Sequence, residues 1–240
     1  MIKEVFAKGY EIVNRIETTQ IEALEKASEV ITEAIAKEKK FFVTGSGHSH
    51  TVAEEFYGRA GGLACVTPIL TTELTLTEHP TKSTYLERLP GYAAILVDLY
   101  GIGEGDVVLI ASNSGRNSYP VEMAVESKAR GAKIIAITNV KHSNSTTSRH
   151  PSGKHLLDIA DVVIDNCGEI GDSAMYIEGV VAPICPTSSI SNAFIAQAIT
   201  VQVVKNLQER GIEPPIFISS NSQDQNNRND EYFKKYTRMY

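Results

Sequence analysis

Cysteine is scarce in this sequence, and the spacing of the few that occur excludes two kinds of site. The 240 residues contain three cysteines, Cys65, Cys167 and Cys185, and no two of them form a Cys-x-x-Cys pair. An odd number of widely spaced cysteines excludes a disulfide framework and a cysteine-based zinc site. We expect a fold that depends on a buried apolar core, and a function that needs no metal or redox cofactor.

An excess of positive charge and long apolar runs are also missing. Lys and Arg total 23 against 29 Asp and Glu, a net charge of −6. This balance argues against nucleic acid as the main partner, because phosphate backbones require clustered basic residues. No apolar run approaches the roughly 18–20 residues that span a membrane. Glu4, Glu11 and Glu17 interrupt the apolar residues of the N-terminus, which excludes a signal peptide and favours a cytoplasmic protein.

The beginning of the sequence has the pattern of one long amphipathic helix. Apolar residues recur at steps of three and four over residues 3–37, with Glu and Lys between them. Such a helix would be about 50 Å long, which is more than a compact domain needs. We expect it to bend or break near Gly9 or Thr18-Thr19, or to pack across a second subunit.

Short β-prone runs alternate with helix-compatible stretches in the rest of the chain. Three of the runs are continuously apolar, which is typical of strands that are covered on both faces. This repetition predicts a doubly wound α/β fold, a parallel sheet with helices on both sides, ending in an apolar helix over 188–209. The predicted strands are Phe41–Thr44, Cys65–Leu70, Asp106–Ala111, Lys133–Thr138 and Asp161–Asp165.

These patterns predict a single domain followed by a polar segment. The domain is expected over residues 1–218, with the N-terminal helix at 3–37 and the core at 38–210. Residues 219–240 are predicted to form a polar C-terminal tail, because Ser, Asn, Gln and Asp dominate its first part.

Three of the predicted strands end in polar turns, at the sheet edge where doubly wound folds bind ligands. The turns are Thr44–His50, Ala111–Ser118 and the Ser/Thr-rich run that follows Thr138. Ser, Asn and Gly in the second turn allow a tight backbone, whose N–H and hydroxyl groups can hold a phosphate at the start of the next helix. The turns lack the Gly-x-x-x-x-Gly-Lys pattern of a nucleotide P-loop. His50 occupies the third Gly position of a dinucleotide fingerprint, so we do not expect NAD binding.

The content and order of the turns resemble a sugar isomerase (SIS) domain. The resemblance rests on Gly45-Ser46-Gly47-His48-Ser49 before a helix, on the Ser-x-Ser-Gly-x-x-Ser loop of residues 112–118, and on Ile135-Ala136-Ile137-Thr138-Asn139. It covers about residues 30–210 and is similar to stand-alone SIS proteins of the phosphoheptose isomerase type. It implies a flavodoxin-like αβα sandwich that binds a phosphorylated sugar, as a homodimer or homotetramer with sites at subunit interfaces.

The resemblance also implies roles for individual residues. The catalytic Glu of phosphoheptose isomerases lies in a Glu-Glu-x-x-Gly-Arg stretch, which matches Glu54 to Arg59 here, with Glu55 favoured over Glu54. His48, in the first turn, is a third catalytic candidate. Thr187 and Ser188, which open the last helix, are added from their expected place at the sheet edge. The other expected phosphosugar-binding residues are Ser46, Gly47, Ser49, Ser112, Asn113, Ser114, Gly115 and Ser118.

Two departures from phosphoheptose isomerases leave the reaction open. The Glu pair lies about one helical turn closer to the first loop, and no His occurs between Pro183 and Tyr240 to match the second acid/base of those enzymes. His79 and His142 are candidates to replace it. The leading hypothesis is aldose–ketose isomerisation of a sugar phosphate by Glu-mediated proton transfer at C2. The alternatives are an aminosugar-phosphate lyase, or etherase, and a phosphosugar-sensing module without catalysis.

Overall fold

A computed structural model describes residues 1–221 and 228–236 of the chain. Within these ranges, strands β1 to β5 form one parallel sheet in the order β2-β1-β3-β4-β5, which confirms the predicted doubly wound fold. A short antiparallel hairpin, β6 and β7, lies outside this sheet. The strands are β1 (Phe41–Gly45), β2 (Val66–Ile69), β3 (Val107–Ala111), β4 (Lys133–Thr138), β5 (Val162–Asp165), β6 (Ser173–Met175) and β7 (Ile184–Pro186).

Helices cover both faces of the sheet. One apolar cluster joins α1, α2, α3 and α8 to the first face, and a second joins α5 and α6 to the other. The helices are α1 (Ile2–Thr19), α2 (Ile21–Ala36), α3 (Thr51–Phe56), α4 (Lys82–Leu86), α5 (Tyr92–Tyr100), α6 (Ser118–Ala129), α7 (Val140–Asn144), α8 (Ser188–Glu209) and α9 (Arg228–Tyr236). No helix in the described ranges is long and apolar enough to cross a membrane.

The central strands are mainly apolar because each face of the sheet is buried. Successive side chains of a strand point to opposite faces. Phe41 and Val43 of β1 therefore lie in the first cluster and Phe42 lies in the second, and each of them is at most 1% exposed. Pro68 lies in β2, which pairs only with β1 among the described strands and so occupies a sheet edge, where a residue without an N–H is tolerated.

The single helix expected over residues 3–37 is divided into α1 and α2 at Gln20. The Thr18 and Thr19 hydroxyls donate to carbonyls of the preceding turn, at 2.7 Å from Asn14 O and 2.6 Å from Arg15 O, and Gln20 leaves the helical conformation at ψ 3°. The Gln20 side-chain oxygen accepts a hydrogen bond from the Asp165 amide at 3.0 Å. The break thus lets both helices pack on the sheet and caps the end of β5.

The predicted polar tail contains a short amphipathic helix. In α9, Phe233 packs on Phe217 with ring centroids 4.9 Å apart, and Tyr232 lies 6.2 Å from the same ring. These aromatic contacts hold α9 against the body of the domain. The remainder of the tail prediction, over residues 222–227 and 237–240, lies outside the described residues.

The strand order determines where a crevice opens. After β1 the chain continues to β2 on one side of the sheet, and after β3 it continues to β4 on the other side. The two loops that follow these adjacent strands therefore diverge, and they leave a gap beyond the carboxyl ends of β1 and β3. We call this gap the cleft.

Candidate functional site

The cleft encloses about 250 Å³ and its lining is mainly polar. It collects residues from the loops after β1 and β3, from α7, from the turn before β6 and from the segment that follows α4. The lining residues are Ser46, Ser49, Glu87, Ser112, Asn113, Ser114, Asn117, His142, Gly171 and Asp172. Hydroxyls, amides, one imidazole and two carboxylates thus face this space.

The loop from Ser112 to Ser118 forms one wall of the cleft. Gly115 adopts a left-handed conformation, with φ of 59°, and its amide donates to Ser112 Oγ at 3.2 Å. A Cβ at Gly115 would lie 3.2 Å from Leu156 Cβ, so a side chain is disfavoured there by both conformation and space. Because the loop turns this tightly, its next residues reach the N-terminus of α6.

Backbone N–H groups of this loop are free to bind a ligand. Within residues 1–221 and 228–236, the amides of Ser114, Arg116 and Ser118 have no hydrogen-bond partner, and no side chain caps the N-terminus of α6. Free amides and the positive end of a helix dipole attract anions. The Ser118 hydroxyl, by contrast, is buried and donates to the Arg88 carbonyl at 3.1 Å, outside the cleft lining.

Glu87 is a carboxylate held inside the cleft, and the sequence motifs do not single it out. Ser46 Oγ donates to its Oε2 at 2.6 Å and Asn117 Nδ2 donates to its Oε1 at 2.8 Å. Burial raises the pKa of the Glu87 carboxyl above its ordinary value, against the opposing effects of the Ser46 hydrogen bond and of the Arg88 and Arg149 charges. A carboxylate with a raised pKa is a stronger base than an ordinary one, which suits a group that takes up and returns protons.

Backbone contacts explain how Glu87 reaches the cleft. The Glu87 carbonyl accepts a hydrogen bond from the Tyr119 amide at 2.9 Å, and the Gly91 amide donates to the Glu122 carboxylate at 2.8 Å. The segment after α4 is thus fastened to the first turns of α6. The sequence carries no local signal for this placement, because Glu87 lies in an irregular stretch rich in Thr and far from both turns.

The turn after β1 contributes Ser46 and Ser49, whereas its histidines serve the turn itself or face outward. Gly47 has a φ of 55°, and its amide donates to the Leu74 carbonyl at 2.8 Å. His50 Nδ1 hydrogen-bonds to the Gly47 carbonyl, and its Nε2 lies 3.2 Å from Glu54 Oε1. His48 is exposed. Neither histidine of this turn therefore lines the cleft.

Glu54 and Glu55 lie on α3 outside the cleft lining. The side chain of Glu54 is 56% exposed, and Glu55 forms an ion pair with Arg59 and accepts a hydrogen bond from Gln197 Nε2 at 3.0 Å. In this chain the nearer carboxylate to the Ser112–Ser118 loop is Glu87, which Asn117 of that loop contacts directly.

The opposite wall of the cleft is held at the start of α8. Asp172 accepts from the Ser188 amide and hydroxyl, both at 2.8 Å, and from the Thr187 amide at 3.1 Å. Thr187 and Ser188 thus bind Asp172, which lines the cleft, rather than lining it themselves. Burial, followed by the Arg116 charge, lowers the pKa of His142 on this wall, which favours a neutral imidazole at pH 7. His79, the other candidate for the second acid/base, hydrogen-bonds to Thr81 in the exposed turn before α4.

Comparison with known proteins supports the assignment made from the turns. The family model of the SIS domain matches residues 5–139. A UPF0309 protein of Halalkalibacterium halodurans is 46% identical over 227 residues, covering 95% of this chain and 94% of its own length. A UPF0309 protein of Thermoanaerobacter pseudethanolicus is 41% identical over 240 residues, covering 98% and 97%.

Solved structures show the same fold at lower identity. The phosphoheptose isomerase GmhA of Neisseria gonorrhoeae superposes with a TM-score of 0.57 at 17% identity, over 85% of this chain and 97% of its own. A putative phosphosugar isomerase involved in capsule formation, from Bacteroides fragilis, gives 0.55 at 24% identity, over 86% and 90%. The Vibrio vulnificus NanR protein complexed with ManNAc-6P gives 0.51 at 15% identity, over 88% and 65%. This chain belongs to the SIS domain family and is a relative of the UPF0309 proteins.

Proposed function

We propose that this protein binds a phosphorylated sugar in the cleft, with the phosphate on the Ser112–Ser118 loop. The observation that carries the proposal is the set of loop amides that have no hydrogen-bond partner among the described residues, at the N-terminus of α6 and beside the hydroxyls of Ser112 and Ser114. Such a set donates several hydrogen bonds to one anion. Structural neighbours described as phosphosugar isomerases, and one described as complexed with ManNAc-6P, support this ligand class.

We propose further that the bound sugar phosphate undergoes aldose–ketose isomerisation. In this reaction a base removes the proton from C2 and returns it to C1, while the hydroxyl proton moves from O2 to O1. Glu87 is the group placed for the carbon-bound proton, because its carboxylate faces the cleft and burial raises its pKa. Ser46 and Asn117 hold both of its oxygens and so define its direction of approach.

The phosphate part of the proposal predicts a selective thermal shift. A sugar phosphate at 100 times its dissociation constant stabilises the folded state by about 2.7 kcal/mol, whereas the matching unphosphorylated sugar does not. Ser114→Ala removes one cleft hydroxyl and should weaken binding about tenfold, in line with the loss of one hydrogen bond to a charged group. The measurement is thermal unfolding of both proteins against a panel of sugar phosphates.

The matched control for that measurement is Ser189→Ala, an exposed serine on the first turn of α8 that lies outside the cleft lining. Its shifts should equal those of the wild type. If no sugar phosphate shifts the unfolding temperature, phosphosugar binding is refuted. If a sugar phosphate binds but its C2 proton never exchanges with solvent, the protein is a phosphosugar-sensing module and the isomerase reaction is refuted.

We also propose that the protein is a homo-oligomer. Phe6 and Tyr10 on α1 are 60% and 73% exposed, and Phe194 and Val201, seven residues apart on α8, are 55% and 67% exposed. Exposed large apolar side chains on two adjoining helices are typical of a surface that another subunit covers.

Sedimentation velocity tests the oligomer at micromolar concentration. We expect a species larger than the 26.2 kDa chain, and we expect Phe6→Glu combined with Phe194→Glu to dissociate it. A wild-type protein that sediments as a monomer throughout would contradict the proposal.

A further inference from the structure

The arginines of the described residues fall into two groups. Five of the eight pair with a carboxylate within 4.0 Å: Arg15, Arg59, Arg130, Arg210 and Arg228. Arg88, Arg116 and Arg149 form no such pair within the described part of the chain. Arg88 and Arg149 are exposed and Arg116 is half-buried, so an anion in solution can reach this positive charge in a protein whose net charge is −6.

The three arginines lie beside the cleft, although none of them is among its lining residues. The Arg88 and Arg149 charges act on Glu87 and the Arg116 charge acts on His142, and both of these residues line the cleft. Arg116 belongs to the Ser112–Ser118 loop, and its carbonyl accepts a hydrogen bond from the Arg149 amide at 2.8 Å. Arg149 Nη1 donates to Asn117 Oδ1 at 2.9 Å. Arg88 follows Glu87 directly, and its carbonyl accepts a hydrogen bond from the Ser118 hydroxyl. The three residues therefore surround the first residues of α6.

Asn117 separates this arginine cluster from the carboxylate of Glu87. Its Nδ2 donates to Glu87 and its Oδ1 accepts from Arg149, so the amide is used on both sides. Glu87 has both oxygens occupied by Ser46 and Asn117, and it does not neutralise the cluster through a direct ion pair. The Arg116 Nε is buried and has no hydrogen-bond partner in the described residues. The cluster thus combines positive charge, which Glu87 offsets without a direct ion pair, with a buried donor that has no acceptor among the described residues.

We propose that the cluster of Arg88, Arg116 and Arg149 is a subsite for a second anionic group on the sugar phosphate, a carboxylate or a second phosphoryl group. This inference rests on the proposed function, because it assumes that the first phosphate occupies the amides of the Ser112–Ser118 loop. Guanidinium groups present planar forks of donors that match the oxygens of both kinds of anion. Mutual repulsion among the three cations is relieved when an anion lies between them.

The proposal distinguishes sugar monophosphates from their doubly anionic counterparts. Two pairs of probes test it. Glucose 6-phosphate is compared with 6-phosphogluconate, which has a carboxylate at C1 in place of the aldehyde, and fructose 6-phosphate is compared with fructose 1,6-bisphosphate, which adds a phosphoryl group. Titration calorimetry should give at least tenfold tighter binding to the doubly anionic member of one pair. Whichever pair shows the preference identifies the second anion.

Arg149→Met and Arg88→Met should remove most of this preference while changing the affinity for the monophosphates less than threefold. Their thermal unfolding without ligand, compared with that of the wild type, shows whether they fold. Arg210→Met is the matched control, because Arg210 is paired with Glu29 away from the cleft, and it should retain the preference.

Two results would overturn the subsite. The wild type could bind both members of each pair equally, or the arginine variants could weaken monophosphates and doubly anionic sugars by the same factor, in which case the arginines hold the single phosphate. Both results leave phosphosugar binding intact. Failure of all four probes to bind, by contrast, would count against the proposed function as well as the subsite.

Discussion

Glu87→Gln is expected to lower the rate of C2 proton exchange in a bound sugar phosphate at least 100-fold while changing its affinity less than threefold. Glutamine has nearly the shape of glutamate and can still meet Ser46, but it cannot accept a proton from carbon at neutral pH. General acid–base groups contribute about 10²–10⁴ to rates, so this loss is in the range of a lost base. The measurement is NMR of deuterium uptake at C2, with calorimetry for the affinity.

Two further variants test whether slower C2 proton exchange in Glu87→Gln identifies Glu87 as the base. Glu55→Gln tests the carboxylate that the sequence motif favoured, and exchange that survives Glu87→Gln but disappears in Glu55→Gln would move the base to α3. Glu33→Gln changes an exposed carboxylate on α2 that pairs with Lys37, and it should exchange like the wild type. Equal rates in all these variants would show that neither Glu87 nor Glu55 is the base.

The pH dependence of the same reaction follows from the direction of the pKa shift. Burial disfavours the ionised form of Glu87, so its pKa in the folded protein lies above the ordinary value of 4.5. A base acts only when it is ionised, so the rate of exchange should rise with pH through this raised pKa and then level off.

The contribution of Glu87 to stability should fall over the same pH range. The wild type should lose free energy of unfolding relative to Glu87→Gln as the pH rises from about 4.5 through the raised pKa.

Gly45→Ala is expected to damage both stability and the cleft. An added Cβ at Gly45 would lie 2.4 Å from the carbonyl oxygen of Ser49, which is a backbone atom that cannot rotate away. The clash must displace the turn that carries Ser46 and Ser49. We expect a loss of about 1–3 kcal/mol in the free energy of unfolding, as for other overpacked sites. Exchange at C2 should fall about 100-fold, because misplacement of positioning groups by about 1 Å has effects of that size.

The control for this variant is an alanine substitution at a glycine with open space around it. A Cβ added at Gly103 would have no atom within 4 Å of it, and the backbone there has no left-handed φ. Gly103→Ala should therefore be neutral, or should stabilise the protein by about 0.4–1 kcal/mol through the unfolded chain. Chemical denaturation measures both variants. A Gly45→Ala protein with wild-type stability and wild-type exchange would show that the turn accommodates a side chain, against the close approach of Ser49 to Gly45.

Local patterns determined the five strands of the parallel sheet, the last helix and the two turns that line the cleft, but they did not predict the hairpin of β6 and β7. Continuous apolar runs predicted β3 and β4, and the apolar pattern of residues 188–209 predicted α8 with its observed bounds. Parallel strands of one sheet bring their carboxyl ends to the same edge, so the sequence predicted that the serines of the turns after β1 and β3 lie at that edge. The tertiary structure decided that β1 and β3 are neighbours. The SIS resemblance drew on the same local features.

Contacts between distant segments decided what the sequence could not show. Glu87 enters the cleft because the Tyr119 amide of α6 donates to its carbonyl and the Asn117 side chain of the Ser112–Ser118 loop donates to its carboxylate. Nothing near Glu87 in the sequence specifies these contacts. Asp172 lines the opposite wall because Thr187 and Ser188 hold it. The sequence specifies which polar groups lie together in the turn after a strand, because the residues of one turn are only a few positions apart. Which carboxylate joins them depends on packing between segments far apart in the chain, and only the tertiary structure determines that.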